Sequence, residues 1–590
     1  MKSLFESRPS VTTTRPISSD AMRRHDLDAL RASAMILGIA YHAALSLALN
    51  FPWFIQDPSS TSAMNMFASF VHGFRMPLFF VISGFFTAML WQKRGAGSLV
   101  WNRFRRVLLP CIVGCFTLVP LSNWVIGYAM QQGAAFRNSA AQSETADSSI
   151  WAAIRKFDSD AVQKQIDDGF DLKAWHPEYR LTALTWTALV GDIASAQAIL
   201  DRGCDVDIRN EDGGTALHAA AFLGRADVAH LLMERGAELQ AKNNNGETPM
   251  GSAQGDLAFV SYIAPLIGIP VELADVKGGR SRILAELESR GASAPPAVSS
   301  ASGKTAGATQ GIAWQSIWQG LIYIPVFSYL WFLWILWWQV VLFAIVQWFL
   351  RWLPWKQVNW KWMLSPAAIA CMMILTLVPN TFMSTLGTML GPDTAMGIVP
   401  MPHVFAYYAL FFFYGSAYYM AKDTSQALGS SWKWMLPVAL LILFPIAFEL
   451  STGFFGLRNS WLPTSTHRIS ANVSQTMFAW WMALGCIGLF QSLVPSEKPW
   501  IRYMSDSSYW LYIAHFPLVI LGQVWVLHLP WPAWLKLAVI SLGSTLVLLL
   551  SYHYCVRSTW IGWFLNGTRG VKPQGSAEKS QDAVVLPISN

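Results

Sequence analysis

Apolar residues in this chain gather into ten long runs, parted by short polar or basic connections and by one long polar interval. The runs cover 29–49, 66–91, 107–129, 322–349, 363–383, 403–421, 433–450, 473–494, 508–528 and 534–556. Each has the length an α-helix needs to cross roughly 30 Å of hydrocarbon, so the pattern predicts about ten membrane spans. The stretch from Gly320 to Leu350 is long for one crossing but too short for two with a turn, and it counts once. The polar interval carries an internal repeat. Thr182-Ala183-Leu184, Thr215-Ala216-Leu217-His218 and Thr248-Pro249-Met250 recur every 33 residues, and Gly203-Cys204-Asp205 and Gly236-Ala237-Glu238 keep the same spacing. That period, with a TALH start and a GAxL end, is the signature of ankyrin repeats. About four units, the first and last degenerate, suffice to bury a shared core by stacking.

The predicted fold is therefore all-α: a polytopic membrane helix bundle with an inserted α-solenoid. The divisions are a tail (1–26), spans one to three (27–130), a linker (131–149), the ankyrin domain (150–292), a second linker (293–312), spans four to ten (313–560) and a final tail (561–590). Both linkers are rich in small polar residues. The first twenty residues have no apolar core, so no cleavable signal peptide is expected there.

Composition agrees with the pattern. The 590 residues are 53% hydrophobic and 13% charged, about half the charge fraction of soluble domains. The segment Ala146–Pro295 holds 14 basic and 22 acidic residues, against 28 and 13 in the remainder. An acidic, soluble-type block is thus set in a basic membrane chain, which gives no footing for nucleic-acid binding. Basic residues crowd alternate connections: Arg24 before the first span, Lys93, Arg94, Arg103, Arg105 and Arg106 between the second and third, and Lys498 and Arg502 before the ninth. By the positive-inside rule both termini are expected in the cytoplasm, and the ankyrin block on the far side. The six cysteines form no CxxC pair, so neither a disulfide framework nor a metal site is expected.

Ionisable groups inside the apolar runs are the candidate chemistry, because such groups are costly in a bilayer and usually mark a functional interior. Arg31 and His42 are eleven residues apart in the first run. Eleven helical steps come to about 1100°, close to three whole turns, so both side chains lie on one stripe. Asp28, three residues before Arg31, shares that stripe and can pair with it. His42 has the chemistry of a general base. In the second run His72 and Arg75 are one turn apart, Pro77 should bend the helix, and Ser83-Gly84 suits close helix packing. Arg103 and Arg106 suit phosphate, but on spacing alone ordinary positive-inside anchoring is the favoured reading. His515 stands alone in the ninth run, as helix glue or as a partner for His42 if both face one cavity.

Together these motifs resemble the acyltransferase-3 family of integral membrane acyltransferases. The resemblance rests on Arg31-x10-His42, FRMPLFFVISGFF (74–86), Arg103-x-x-Arg106, SYLWFLWIL (328–336) and YWLYIAHFPLV (509–519). The SYLWFLWIL and HFPLV segments look most like the branch containing the glucan succinyltransferases. It implies an O-acyltransferase that takes an acetyl or succinyl group from cytoplasmic acyl-CoA, a substrate rather than a resident cofactor, and passes it to an extracytoplasmic glycan hydroxyl. It implies catalytic roles for His42 and Arg31, acyl-CoA contacts for Arg103 and Arg106, and further substrate contacts at Arg75, Ser83 and His515; Asp28 joins them through Arg31. The implied location is a bacterial inner membrane. The mid-chain ankyrin array departs from the family pattern and is expected to bind a protein partner. The competing readings are a non-enzymatic ankyrin scaffold on a membrane anchor and a transporter.

Overall fold

The computed structural model describes residues 24–49, 51–143, 149–176, 179–244, 246–292 with a few gaps between 256 and 270, 321–322, 324–350, 352, 359–383, 389–423, 427–463, 466–494, 496 and 498–566. The first tail up to residue 23, most of the final tail and all of the second linker, as divided above, lie outside those residues. Among the described residues every regular element is helical, with two isolated β-bridges.

Helix covers the greater part of each of the ten apolar runs. Among the described residues seven helical runs are long and apolar enough to cross a membrane. One of these, Ser62–Phe136, spans 75 residues and takes in both the second and third predicted spans. Two predicted spans fall outside the seven. Pro366–Asn380 has only 15 residues, and the apolarity of Pro402–Ala421 is diluted by Tyr407, Tyr408, Tyr414, Tyr418 and Tyr419.

The first two helices, with Pro499–Val526, build most of the site. The first three in chain order are α1 (His25–Ala44), α2 (Ser62–Arg103) and α3 (Leu109–Ser143). The basic connection between the second and third predicted spans is itself helical, broken only at Gly95, whose φ of +77° suits a residue without Cβ. Pro77 keeps helical geometry, so the break lies at the glycine. In consequence Arg103 Nη2 donates to Thr87 Oγ1 at 3.3 Å across sixteen residues. A straight helix would hold those residues about 24 Å apart, so the chain folds back at Gly95.

Glycines set the main helix crossing. A Cβ on Gly84 would lie 1.8 Å from the Phe412 carbonyl oxygen, and one on Gly415 would lie 1.9 Å from that of Val81. The two backbones of α2 and Pro402–Ala421 therefore touch reciprocally, and Ser416 Oγ donates to the Gly84 carbonyl at 3.1 Å. Elsewhere Lys536 Nζ meets both carboxylate oxygens of Asp57 at 2.8 Å, with the side chains 1% and 3% exposed. This buried pair ties the α1–α2 loop to the last long helix.

The ankyrin units stack around a separate apolar core. Helix pairs Ala183–Val190/Ile193–Asp201 and Ala216–Leu223/Ala226–Glu234 form the regular repeats. Ile150–Arg155 with Ser159–Asp167 begins the stack, and Leu273–Ser289 closes it. The repeated threonines start helices: Thr182 Oγ1 accepts from Thr185 N, and Thr248 Oγ1 from Gly251 N. His218 Nδ1 accepts from Thr215 N at 3.1 Å, so its Nε2–H donates to the Glu247 carbonyl at 3.0 Å in the next unit. Its role is repeat architecture, as its place in TALH suggests. Burial pushes the Cys204 thiol up to about 11, which keeps it protonated and unreactive.

Candidate active site

Along α1 one stripe reads Arg24, Asp28, Arg31, Met35, Gly38, His42. Its first four members line a cavity of about 530 Å³ shared with α2, α3's lead-in turn, Trp331–Leu350 and Pro499–Val526. The cavity also takes in Lys93, Arg103, Arg106, Ser83, Phe79, Asp506, Tyr509 and Tyr512. Five cationic side chains against two carboxylates give it a positive lining. That lining suits phosphates, which arginine forks bind through two parallel hydrogen bonds.

Arg31 is held rather than loose. Its Nη2 donates to the Ser505 carbonyl at 2.9 Å and to Ser505 Oγ at 2.6 Å, while Ser505 Oγ donates to Asp28 Oδ1 at 3.0 Å. The Arg31–Asp28 pair expected from their spacing closes at 3.7 Å. Ser505 mediates it, and nothing in the sequence near α1 announces that residue. Ser83 and Gly84 divide the work expected of them jointly: Gly84 makes the helix contact, and Ser83 faces the cavity.

Two turns past the cavity floor at Met35, α1 presents His42. Its ring lies 5.2 Å from that of His515, centroid to centroid, with Phe516 at 5.3 Å and Trp53 at 6.2 Å. The two histidines foreseen as possible partners thus meet. The Tyr512 carbonyl, 2.7 Å from His515 Nδ1, can only accept, so Nδ1 carries the proton and Nε2 keeps its lone pair. His515 Nε2 and His42 Nδ1 are both enclosed without a hydrogen-bond partner. Gln523 fixes this corner: its Nε2 donates to the His42 carbonyl at 2.8 Å, and its Oε1 accepts from Trp53 Nε1 at 3.1 Å. The His42 carbonyl needs this donor because α1 ends at Ala44, where carbonyls lose their helical partners.

Arg75 lies at the level of Gly38, between the cavity floor and His42. A Cβ on Gly38 would fall 2.0 Å from Arg75 Nη1, and the guanidinium carbon sits 5.0 Å from the Tyr41 ring centroid. Tyr41 in turn stacks on His72 at 5.5 Å with the rings 9° apart. Sequence reasoning singled out neither Tyr41 nor Gln523. An aromatic beside His42 and a glutamine in an apolar run were the signals available.

A membrane helix bundle with a cationic cavity leading to paired histidines is the architecture of a membrane-embedded group-transfer enzyme. The acyltransferase domain of the acyltransferase-3 family matches residues 24–152 and 292–553, which is most of the chain outside the insert. The chain belongs to that family. Ankyrin repeats match 150–243 and 184–269. Among curated relatives, glucans biosynthesis protein C of Escherichia coli strain K12 is 36% identical over 101 residues, and that of strain SMS-3-5 is 35% identical over 101 residues. Each match takes in 17% of this chain and 25% of the relative, so the chain spans about a quarter of the curated relatives it matches.

Proposed function

We propose that this protein moves an acyl group from cytoplasmic acyl-CoA to a hydroxyl of an extracytoplasmic glucan or related surface polysaccharide. The observation that carries this reading is the single stripe of α1, which runs from the arginine-lined cavity to His42. Arg103 and Arg106 meet the phosphates of the donor, and Arg31, locked by Ser505 and Asp28, adds charge at the same end. His42 takes the proton of the acceptor hydroxyl as its oxygen attacks the thioester carbonyl. The carbon–sulfur bond breaks, and the proton passes to the departing CoA thiolate. Family membership and the similarity to glucans biosynthesis protein C support the reaction class and the glucan acceptor. The positive-inside pattern supports cytoplasmic termini and an ankyrin domain on the far side, which is the periplasm if the membrane is a bacterial inner membrane. The ankyrin domain recruits a protein partner, since stacked repeats offer an extended surface.

The test is mass spectrometry of envelope glucans from cells with and without this protein, beside acyl-CoA turnover by the purified protein in vesicles. Acylated glucan that disappears with the protein supports the reading. In vesicles, Arg103→Gln with Arg106→Gln should raise KM for acyl-CoA more than it lowers kcat. Unaltered glucans together with no CoA release would overturn the proposal.

A further inference from the structure

Connections are usually the mobile part of a fold, but the one from α1 to α2 is tied at both ends and in the middle. Asp57 N donates to the Ser46 carbonyl and Thr61 N to the Leu47 carbonyl, both at 2.9 Å. Asn65 exchanges two hydrogen bonds with the Leu49 backbone, and the buried Asp57–Lys536 pair holds the loop from the side. A buried ion pair is weak evidence for stability, so what it secures here is where the loop lies. Burial alternates along the held stretch. Trp53, Ile55 and Asp57 are buried, whereas Phe54 and Gln56 between them are half-buried, as is Phe51. The open side thus carries phenyl rings and an amide. Gln56 Nε2 donates to the Phe51 carbonyl, which leaves Gln56 Oε1 without a partner among the described residues.

This open side adjoins the reacting histidine. Among the described residues four rings lie against His42, and Trp53 alone of them comes from a connection rather than a helix. Phe54 shares two of those neighbours, with its ring 4.5 Å from Trp53 and 6.4 Å from Phe516. The donor cavity lies toward the other end of the α1 stripe, so the loop stands where a second substrate can reach His42 without crossing the first. We infer that the α1–α2 loop is the acceptor subsite: a pyranose unit rests its C–H face on Phe54, flanked by Phe51, and one of its hydroxyls donates to Gln56 Oε1. The inference rests on the acyl-transfer reading above and assigns the acceptor its place in it. A pyranose ring carries C–H bonds on its faces and hydroxyls around its edge. The negative face of a phenyl ring attracts the first, and an open amide oxygen accepts from the second. Carbon atoms in such a stack sit about 3.5–4.0 Å apart. Trp53 and the Asp57–Lys536 pair are then positioning residues, which hold Phe54 and Gln56 beside His42 without touching the sugar.

The experiment uses the full-length protein in detergent, with β-linked glucose oligosaccharides as acceptor and whichever of acetyl-CoA and succinyl-CoA the wild-type protein turns over. Thiol release measured against each substrate gives kcat and two KM values, and melting temperature without substrate reports folding. Phe54→Ala should raise KM for the oligosaccharide by about three- to tenfold while KM for acyl-CoA and the melting temperature stay near wild type. Phe54→Tyr keeps the ring face and should behave as wild type. Gln56→Ala should raise the acceptor KM by about two- to tenfold. Should Phe54→Ala melt lower, Gln56→Ala decides, because its side chain is half-buried and packs on no core ring. An acceptor KM left unchanged by both variants overturns the inference while acyl transfer stands. So does a rise of both KM values together, which is the behaviour of a packing residue. If the wild-type protein releases no thiol from either donor, the acyl-transfer reading falls, and the subsite with it.

Discussion

His42 and His515 face each other with ring centroids 5.2 Å apart, and each keeps a nitrogen enclosed without a hydrogen-bond partner. The His515 tautomer is fixed by the Tyr512 carbonyl, so its free nitrogen is an acceptor. A base delivers about 10²- to 10⁴-fold in rate. His42→Ala should therefore lose acyl transfer by that order while the protein still inserts and purifies intact. If the two imidazoles share one proton path, His42→Ala with His515→Ala will be no slower than the worse single variant. Full independence of the two effects, measured as kcat in vesicles, would separate His515 from the chemistry.

Gln523 should behave as a positioning residue. In Gln523→Leu the His42 carbonyl and Trp53 Nε1 both lose their partner, at a cost of about 1–3 kcal/mol for each group left unsatisfied. Under the proposed mechanism the donor phosphates lie at the arginine-lined cavity instead, so kcat should fall while KM for acyl-CoA moves little. Gln523→Glu keeps an acceptor for Trp53 but loses the donor to His42, and kcat should remain low.

The reciprocal contact of Gly84 and Gly415 leaves no room for side chains. Gly84→Leu must push α2 away from Pro402–Ala421, and overpacking of this kind costs about 1–3 kcal/mol or more. A lower melting temperature in detergent is expected. Ser83→Leu, one residue away, should leave stability nearly as it was and impair donor use instead, because Ser83 faces the cavity.

The closing ankyrin helix should respond to pH. Glu286 lies 2.7 Å from His230 and raises its pKa above the ordinary value. The charged pair with His230 and Arg290 holds the Glu286 carboxyl below its ordinary value, against the opposing effect of burial. The histidine contribution is complete below its unfolded pKa near 6.5 and is lost as pH rises through the raised value. The glutamate contribution is present above about 4.3 and is lost as pH falls through the depressed value. Protection against hydrogen exchange in Leu273–Ser289 of the full-length protein, taken relative to the intrinsic rate at each pH, should be greatest between those limits, and His230→Ala should flatten the alkaline side.

The helices, the ankyrin insert and the α1 stripe were legible because each is written in a local period. Helical spacing places Asp28, Arg31 and His42 on one face whatever surrounds them, and the 33-residue recurrence of threonine and glycine defines the repeats. Apolar length likewise predicts spans, since a bilayer demands internally hydrogen-bonded helices of a given size. The partners of those residues come from elements far along the chain and follow no local rule. Ser505 on Arg31, His515 and Gln523 at His42, Arg75 over Gly38 and the fold-back at Gly95 were decided by tertiary packing. Helix packing in a membrane is selected by surface shape and by satisfaction of buried polar groups, and both exist only once all the helices are together.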